Sequence, residues 1–574
     1  MGSCEFTSEL NRLRKSSSDS IDSVEKFNEF KKYMHVTRTV EEDLKNILRK
    51  VNASQKKSLV LLCGSAGDGK SHLLSHLKNS DEEHLIENYI VFNDATESSI
   101  PTKTAIETLN DLLDTFKDNN LSQPGRNVIL AINLGVLSNF VESEFGDEFG
   151  ILRKYVEESN ILTKQINING FDGQGHFQHV SFSDYHMYSM VAEGVHAGYI
   201  ESIFEKVFSS SDENIFYKSY INACTGCPLV QKCPVKKNYE YMMNAKCQKY
   251  VAELLVKTSI RDKVILTTRE ILNFIYDILV AQSFSFAKFQ TLLINDEKYL
   301  KEFLKQITPA LLFDSTDVTP LMNLLKKYDP LLVRSEKADE KAISFYVSSD
   351  VSNEIRKAFT DVPYGNIICD TGMISKINDN RTLKSNLYNL IVRIETISLD
   401  NVVEEVYNQY LLDLYLYNAG IGKKLRNLYN MVEKAVTQWC GCDEEGNLCL
   451  DDRHQGFSLY EKVEFKPNID AIPKPVETEQ LQRFIPSIVV SFEDKNNEII
   501  SLEIDYALYE LLYKLNQGYI QTADDRNNHA DFIGFIDRIL QTGSLTESVS
   551  IISYDGKKAN ISQGMFGYKF KVVR

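Results

Sequence analysis

Gly64-Ser65-Ala66-Gly67-Asp68-Gly69-Lys70-Ser71 directly follows the apolar run Leu59-Val60-Leu61-Leu62-Cys63, and its G-x-x-x-x-G-K-[ST] spacing is that of a phosphate-binding loop. The glycines let such a loop wrap so that successive amides converge on a β-phosphate, which also meets the positive end of the helix expected from Lys70. Lys70 would bring charge to the β- and γ-phosphates and the Ser71 hydroxyl would ligate Mg²⁺, so ATP with Mg²⁺ is the expected ligand. The alternative is a glycine-rich strand-to-helix turn that holds nothing.

Hydrolysis needs more than a cradle: a further acidic group on Mg²⁺, and a base or polar group to orient water. Three strand ends compete for these roles. Asn93-Asp94-Ala95-Thr96-Glu97, after Tyr89-Ile90-Val91-Phe92, offers the carboxylates of Asp94 and Glu97 three residues apart. Asn133, after Val128-Ile129-Leu130-Ala131-Ile132, is a neutral amide that could sense a γ-phosphate but holds a cation poorly. Asp184 follows His179-Val180-Ser181-Phe182. Each could equally be a cap or turn residue. Thr267-Thr268-Arg269-Glu270 opens an apolar-periodic helix and sets the Arg269 guanidinium in its first turn, within reach of a γ-phosphate if that helix closes as a lid. A surface ion pair with Glu270 is the competing reading.

A second chemistry is suggested by Cys224-Thr225-Gly226-Cys227, then Cys233, then Cys247, which gathers four of the ten cysteines into a C-x2-C-x5-C-x13-C pattern. Four thiolates suit a tetrahedral structural Zn²⁺ that clamps a polar helical insertion. Pro228 and Pro234 directly follow two of them, a feature shared with iron–sulfur ligation, and free thiols in a helical hairpin are the third reading. Cys440, Cys442 and Cys449 lack a clear fourth ligand and read as core or surface thiols.

At 574 residues the chain is long enough for several folding units, and 43% hydrophobic with 25% charged residues is ordinary globular composition. Lys and Arg total 64 against 80 Asp and Glu, a net charge of −16 that repels phosphate backbones at long range. Nucleic-acid contact would need a local patch. Residues 232–257 (six lysines, two glutamates) and 548–574 (four lysines, Arg574, one aspartate) each carry 6 − 2 or 5 − 1, that is +4. The second stretch interleaves Tyr554, Phe566, Tyr568 and Phe570. Aromatics among basic residues can stack bases, but alternation at Tyr568, Phe570 and Val572 equally describes a sheet whose apolar face is core, which is the expectation taken. The best apolar run, Ile271 to Phe284, is cut by Asp277, so no membrane span is expected. Without an export signal or lipid anchor, and with clustered thiols, the chain reads as cytoplasmic.

These residues need a frame. The strand-like runs 59–63, 89–92, 128–132 and 179–182 alternate with helical ones, which implies a parallel α/β sheet. The expected fold class is an α/β P-loop NTPase core, an AAA+/ASCE-like parallel sheet, with helical lid and bundle regions and a small C-terminal α+β domain. The segments are 1–57, a helical adaptor in which Thr39 and Glu42 have capping-box spacing; 58–186, the core; 187–265, the helical insertion with the cysteines; 266–456, lid and bundle; and 457–574, the α+β domain, with Pro467, Pro473 and Pro475 near its start read as a linker.

Leu61 to His72, with Phe92-Asn93-Asp94-Ala95-Thr96-Glu97-Ser98 and Leu130-Ala131-Ile132-Asn133-Leu134-Gly135, resembles the DptF (DndF) family. That family comprises the NTPase subunits of bacterial phosphorothioation-dependent DNA restriction systems. The Cys-Pro segment, residues 267–270 and the Gly518-Tyr519 region are similar too. The resemblance implies an ATP-dependent, anti-phage defence subunit that acts with companion proteins against DNA lacking phosphorothioate modification and touches DNA through the complex. It carries over the loop residues Gly64 to His72, but offers no Asp-Glu strand end. ATP hydrolysis and a nucleotide-gated scaffold with little turnover therefore both stand, self-association is open, and no nuclease signature is present.

Overall fold

The computed structural model describes residues 4–14, 29–54, 56–65, 67–81, 83–93, 104–162, 171–315, 319–334, 336–399, 404–451, 456–470, 472–473, 479–494, 496–542, 549–553, 555–564 and 567–573. Ala66, Asp94, Glu97, Pro475, Tyr554, Phe566 and Arg574 lie outside that set. By internal contacts the chain forms two units, Met1–Ser189 with Ala197–Val402, and Met190–His196 with Val403–Arg574.

In the first unit, helices α1 (Glu5–Leu10), α2 (Glu29–Met34) and α3 (Thr39–Ala53) precede strand β1 (Leu59–Gly64) and helix α4 (Lys70–Asn79). Next come β2 (Tyr89–Phe92), α5 (Ala105–Leu112), β3 (Asn127–Asn133), α6 (Leu134–Glu142), α7 (Gly150–Glu158) and β4 (Phe177–Ser181). The four strands make one all-parallel sheet in the order β2-β3-β1-β4. Every residue of β1 is buried, as a central parallel strand covered on both faces must be. Its alternate residues go to opposite sides. Leu59, Leu61 and Cys63 join Val128, Leu130 and Ile132 under Phe140, Leu152 and Val156 of α6 and α7. Val60 and Leu62 pack with Leu44 and Leu48 of α3 and Leu74 and Leu77 of α4. At roughly 1.5–3 kcal/mol per buried aliphatic side chain, these two layers fix the sheet from both sides.

The chain leaves β1 through α4 on one face and leaves its neighbour β3 through α6 on the other. The crevice between two such strands, at their carboxyl ends, is where open α/β sheets bind ligands. Gly64 pairs in register with Asn133 at that edge.

Strand β5 (Tyr185–Val191) and strand β6 (Gly194–His196) follow, then α8 (Gly198–Phe208), α9 (Ile215–Cys224), α10 (Pro234–Met242), α11 (Ala245–Asp262) and α12 (Thr268–Leu279). Further helices run to Ile397. Thr39 is the first residue of α3, and the Thr39/Glu42 capping box does not form: Arg38 is the N-cap residue and makes no side-chain cap. Its guanidinium is drawn elsewhere, as described below. Among the described residues no helix is long and apolar enough to cross a membrane.

Asp277 sits on the buried side of α12, 5% exposed. Burial pushes its carboxyl up to about 6, with Arg14 opposing the shift. The ionised form is thus disfavoured in the folded chain. Stability is full below the unfolded value of 3.8 and falls as pH rises from there through about 6. Asp277→Asn is expected to raise stability at pH 7 by up to about 3 kcal/mol and to flatten that decline. Urea denaturation at pH 4 and pH 7 measures both.

In the second unit, strands Phe465–Asn468 (β9), Ile488–Asp494 (β11) and Ile499–Ile504 (β12) form one antiparallel sheet, with β10 (Leu481–Arg483) between β9 and β11 in sequence. A five-stranded antiparallel sheet runs β15-β14-β13-β8-β7, from Leu448–Asp451 (β7), Phe457–Glu461 (β8), Val549–Ser553 (β13), Lys558–Gly564 (β14) and Gly567–Val573 (β15). The hairpins expected at residues 488–504 and around Asp555-Gly556 are present. The core face expected for Tyr568, Phe570 and Val572 is not: they are 75%, 63% and 59% exposed on the edge strand β15. Alternation fixes which residues share a face, not whether that face is covered.

Candidate functional site

The loop between β1 and α4 lies at the carboxyl edge of the sheet. Gly67 and Gly69 hold φ of +88° and +97°, the left-handed region that glycine enters without strain. Gly69 is also the N-cap residue of α4, whose first carbonyl bond is Leu73 N–H to Gly69 O at 2.9 Å. The first-turn amides of α4 therefore open onto the loop.

Lys70 is buried, and its ammonium donates to Ser65 O at 2.6 Å and to Asn133 Oδ1 at 3.3 Å. Lys70 and Asn133, predicted from separate motifs, thus meet in the crevice between β1 and β3. Asp68 folds into the loop, and its carboxylate accepts the Ser65 N–H at 2.5 Å. Burial raises the Asp68 carboxyl, against the Ser65 amide, Lys70 and Arg38. The acid fills part of the amide nest from within.

Two outside elements touch the loop. Arg38, ahead of α3, donates to Asp68 O at 3.0 Å and to Tyr185 O at 3.1 Å. Thr267 lies 3.5 Å from the Cβ position of Gly67. Thr267 caps α12 in a reciprocal box: its hydroxyl accepts Glu270 N–H at 3.2 Å while the Glu270 carboxylate accepts Thr267 N–H at 2.9 Å. Glu270 is thereby committed to the cap, and Arg269, half-buried, is the second residue of the helix that meets the loop. Thr268 shares a hydrogen bond with Tyr199 Oη at 2.9 Å.

Asp184 closes the short turn after β4, and its charge is felt by the buried Cys63 thiol, which desolvation pushes up to about 12 against Lys70. Asp94 and Glu97 follow the end of β2 but lie outside the described residues, as does Ala66. Ser71 and His72 occupy the first turn of α4. Burial, then the neighbouring cationic groups, lowers His72 to about 4.

Gly64 is held by close approach. A Cβ there would stand 2.7 Å from Asp68 Oδ2 and 2.9 Å from Phe182 Cβ. Asp68 is pinned by the Ser65 amide, so neither neighbour yields easily. Gly64→Ala is expected to cost about 1–3 kcal/mol of stability and to distort the loop, read as a lowered melting temperature.

The cysteines divide. Cys224 ends α9, Gly226 turns with φ +109°, and Cys233 is the N-cap residue of α10 ahead of Pro234. Burial pushes the Cys224 thiol up to about 12, followed by the charges of Cys233 and Cys4. Cys233 is pushed up to about 11 by burial, with Cys4 and Cys227 adding to it. Cys4 reaches them because α1 packs on α9, with Phe6 edge-on to Tyr220 and Tyr239 at 5.7 and 5.1 Å. Cys247 is buried in α11, where its thiol meets Tyr241. Among the described residues, the one group of three or more candidate ligands whose donor atoms lie within 4.8 Å of one another is His35, Glu41 and His76. Sequence reasoning missed that group, Arg38 and Cys4. Only the i, i+4 spacing of His72 and His76 on α4 hinted at it.

No protein-family model matches the chain, and no curated protein matches it either.

Proposed function

We propose that the loop 64–71 binds the phosphoryl tail of ATP with Mg²⁺, and that the chain is an ATP-hydrolysing subunit of a multi-protein bacterial DNA restriction system acting on DNA without phosphorothioate modification. The observation that carries the nucleotide reading is the joint placement of Lys70 and Asn133 in the crevice between β1 and β3, behind a loop whose two glycines take positive φ. In this reading the loop amides and Lys70 hold the β- and γ-phosphates and Ser71 holds Mg²⁺. Asn133 orients the γ-phosphate or the attacking water, and Arg269 approaches as α12 closes. Asp94 and Glu97 are the proposed acidic partners. An AAA+/ASCE-like arrangement is the finer fold assignment that goes with these roles. The restriction role rests on the resemblance alone.

A nucleotide-gated scaffold with little turnover is the second reading, favoured by the neutral amide beside Lys70 where a carboxylate would serve Mg²⁺ better. Calorimetry with ATP and Mg²⁺, paired with steady-state phosphate release with and without DNA, separates the two. Binding with no release selects the scaffold, and no heat of binding by folded protein ends both.

Structural zinc on Cys224, Cys227, Cys233 and Cys247 is part of the proposal, with an iron–sulfur cluster as the alternative. Metal analysis of the chain and its Cys227→Ser variant tests it, and equal zinc in both would end it.

A further inference from the structure

Behind the phosphate cradle, the segment ahead of α3 meets α4, and two imidazoles, His35 and His76, come to one carboxylate. His35 Nε2 stands 3.1 Å from Glu41 Oε2, and His76 Nε2 stands 3.8 Å from Glu41 Oε1. Their side chains are only 12%, 3% and 17% exposed for His35, Glu41 and His76. Lys45 Nζ lies 2.8 Å from Glu41 Oε1, and His35 Nδ1 lies 3.1 Å from His72 Nε2.

At 3.1 Å, His35 Nε2 and Glu41 Oε2 are buried and in direct ion-pair contact. Two ligands of one tetrahedral ion lie at a similar separation, since metal–donor distances of about 2 Å place them about 3.3 Å apart, and the donor atoms of His35, Glu41 and His76 all lie within 4.8 Å of one another. Two nitrogens and one carboxylate oxygen are a donor set suited to zinc, whereas magnesium prefers oxygen alone.

We propose that His35 Nε2, Glu41 and His76 bind a zinc ion, with water as the fourth ligand. His72 acts behind them as a positioning residue: by accepting the His35 Nδ1 proton it leaves the Nε2 lone pair for the metal. Lys45 holds the second carboxylate oxygen in the same supporting way. The site would pin the chain ahead of α3 to the helix that starts in the phosphate loop, and it does not depend on nucleotide binding.

Two features set the expected behaviour. The His35 and His76 rings are stacked, 3.6 Å between centroids and 15° between planes. A shared ion must lie in the plane of each ring, so uptake tilts His76 out of the stack. The charges of Lys31, Lys32 and Lys45 reach the cluster and oppose a second cation. Zinc affinity is therefore expected to rise with ionic strength, opposite to an acidic surface site.

The test strips the full-length chain with chelator and titrates it with Co²⁺ and then Zn²⁺. Beyond any thiolate-bound equivalent, one further equivalent with a tetrahedral cobalt spectrum that adds no sulfur-to-metal band is expected, displaced by zinc and accompanied by shifted histidine ring resonances. Glu41→Gln and His76→Gln should each weaken binding by roughly 100-fold, and His72→Asn by roughly tenfold. Folded wild-type protein that takes up no cobalt, or takes it up with a sulfur-ligated spectrum only, overturns the proposal. So does wild-type affinity in both ligand variants.

Discussion

Lys70→Ala is expected to weaken ATP·Mg²⁺ binding by roughly 10²- to 10³-fold while leaving the fold intact. The ammonium is buried at the mouth of the loop, held by Ser65 O and Asn133 Oδ1, neither of which carries a full charge. A triphosphate offers it anionic oxygens instead. Two charge-assisted bonds at about 1.5–2 kcal/mol each amount to about 3–4 kcal/mol, which is that loss in affinity. Lys70→Arg should not rescue it, because a planar guanidinium does not fit a site shaped for a compact ammonium. Calorimetry on the three proteins is decisive: wild-type affinity in Lys70→Ala would remove the loop from nucleotide binding.

The largest stability effect is expected at Asn238 in α10. This residue is fully buried and its amide donates to Leu279 O at 3.0 Å and Gln306 O at 2.8 Å. Its carbonyl accepts Thr308 N–H at 2.9 Å and Tyr364 Oη–H at 3.1 Å. Asn238→Ala strands four polar groups where water cannot replace the partner, each at about 1–3 kcal/mol. A loss of about 4 kcal/mol or more follows, seen as a lower denaturation midpoint. Asn238→Asp keeps the acceptors, loses both donors and adds a buried charge, so it should be no better than alanine. A loss under 1 kcal/mol in both would mean that the helices there are held by apolar packing alone.

The centre of the sheet was legible because β1 and β3 are buried on both faces and so read as unbroken apolar runs, which the strands extend by one or two residues; the edge strand β2, only partly buried, still matches Tyr89–Phe92 to the residue. The meeting of Lys70 with Asn133 was legible in part, since each ends or follows a strand of one parallel sheet. What brings them to hydrogen-bond distance is the register Gly64 to Asn133, which no local pattern encodes. The Thr39/Glu42 spacing misled, since Thr39 is already the first helical residue and the N-cap position falls to Arg38, whose guanidinium has no acceptor to offer the first-turn amides. The exposure of Tyr568 and Phe570 was hidden for a similar reason, because period two is blind to what lies opposite a face. The cluster of His35, Glu41 and His76 joins residues from separate elements, and only the tertiary fold brings them together.

The grip of Arg38 on the Asp68 carbonyl, with Thr267 against Gly67, bears on any attempt to dissect the chain. A fragment cut to the sheet and its flanking helices would keep every glycine of the cradle yet forfeit the buttresses on either side. Minimal pieces should therefore start upstream of residue 35 and run past residue 279, and shorter excisions that fail with nucleotide would speak only of missing scaffolding.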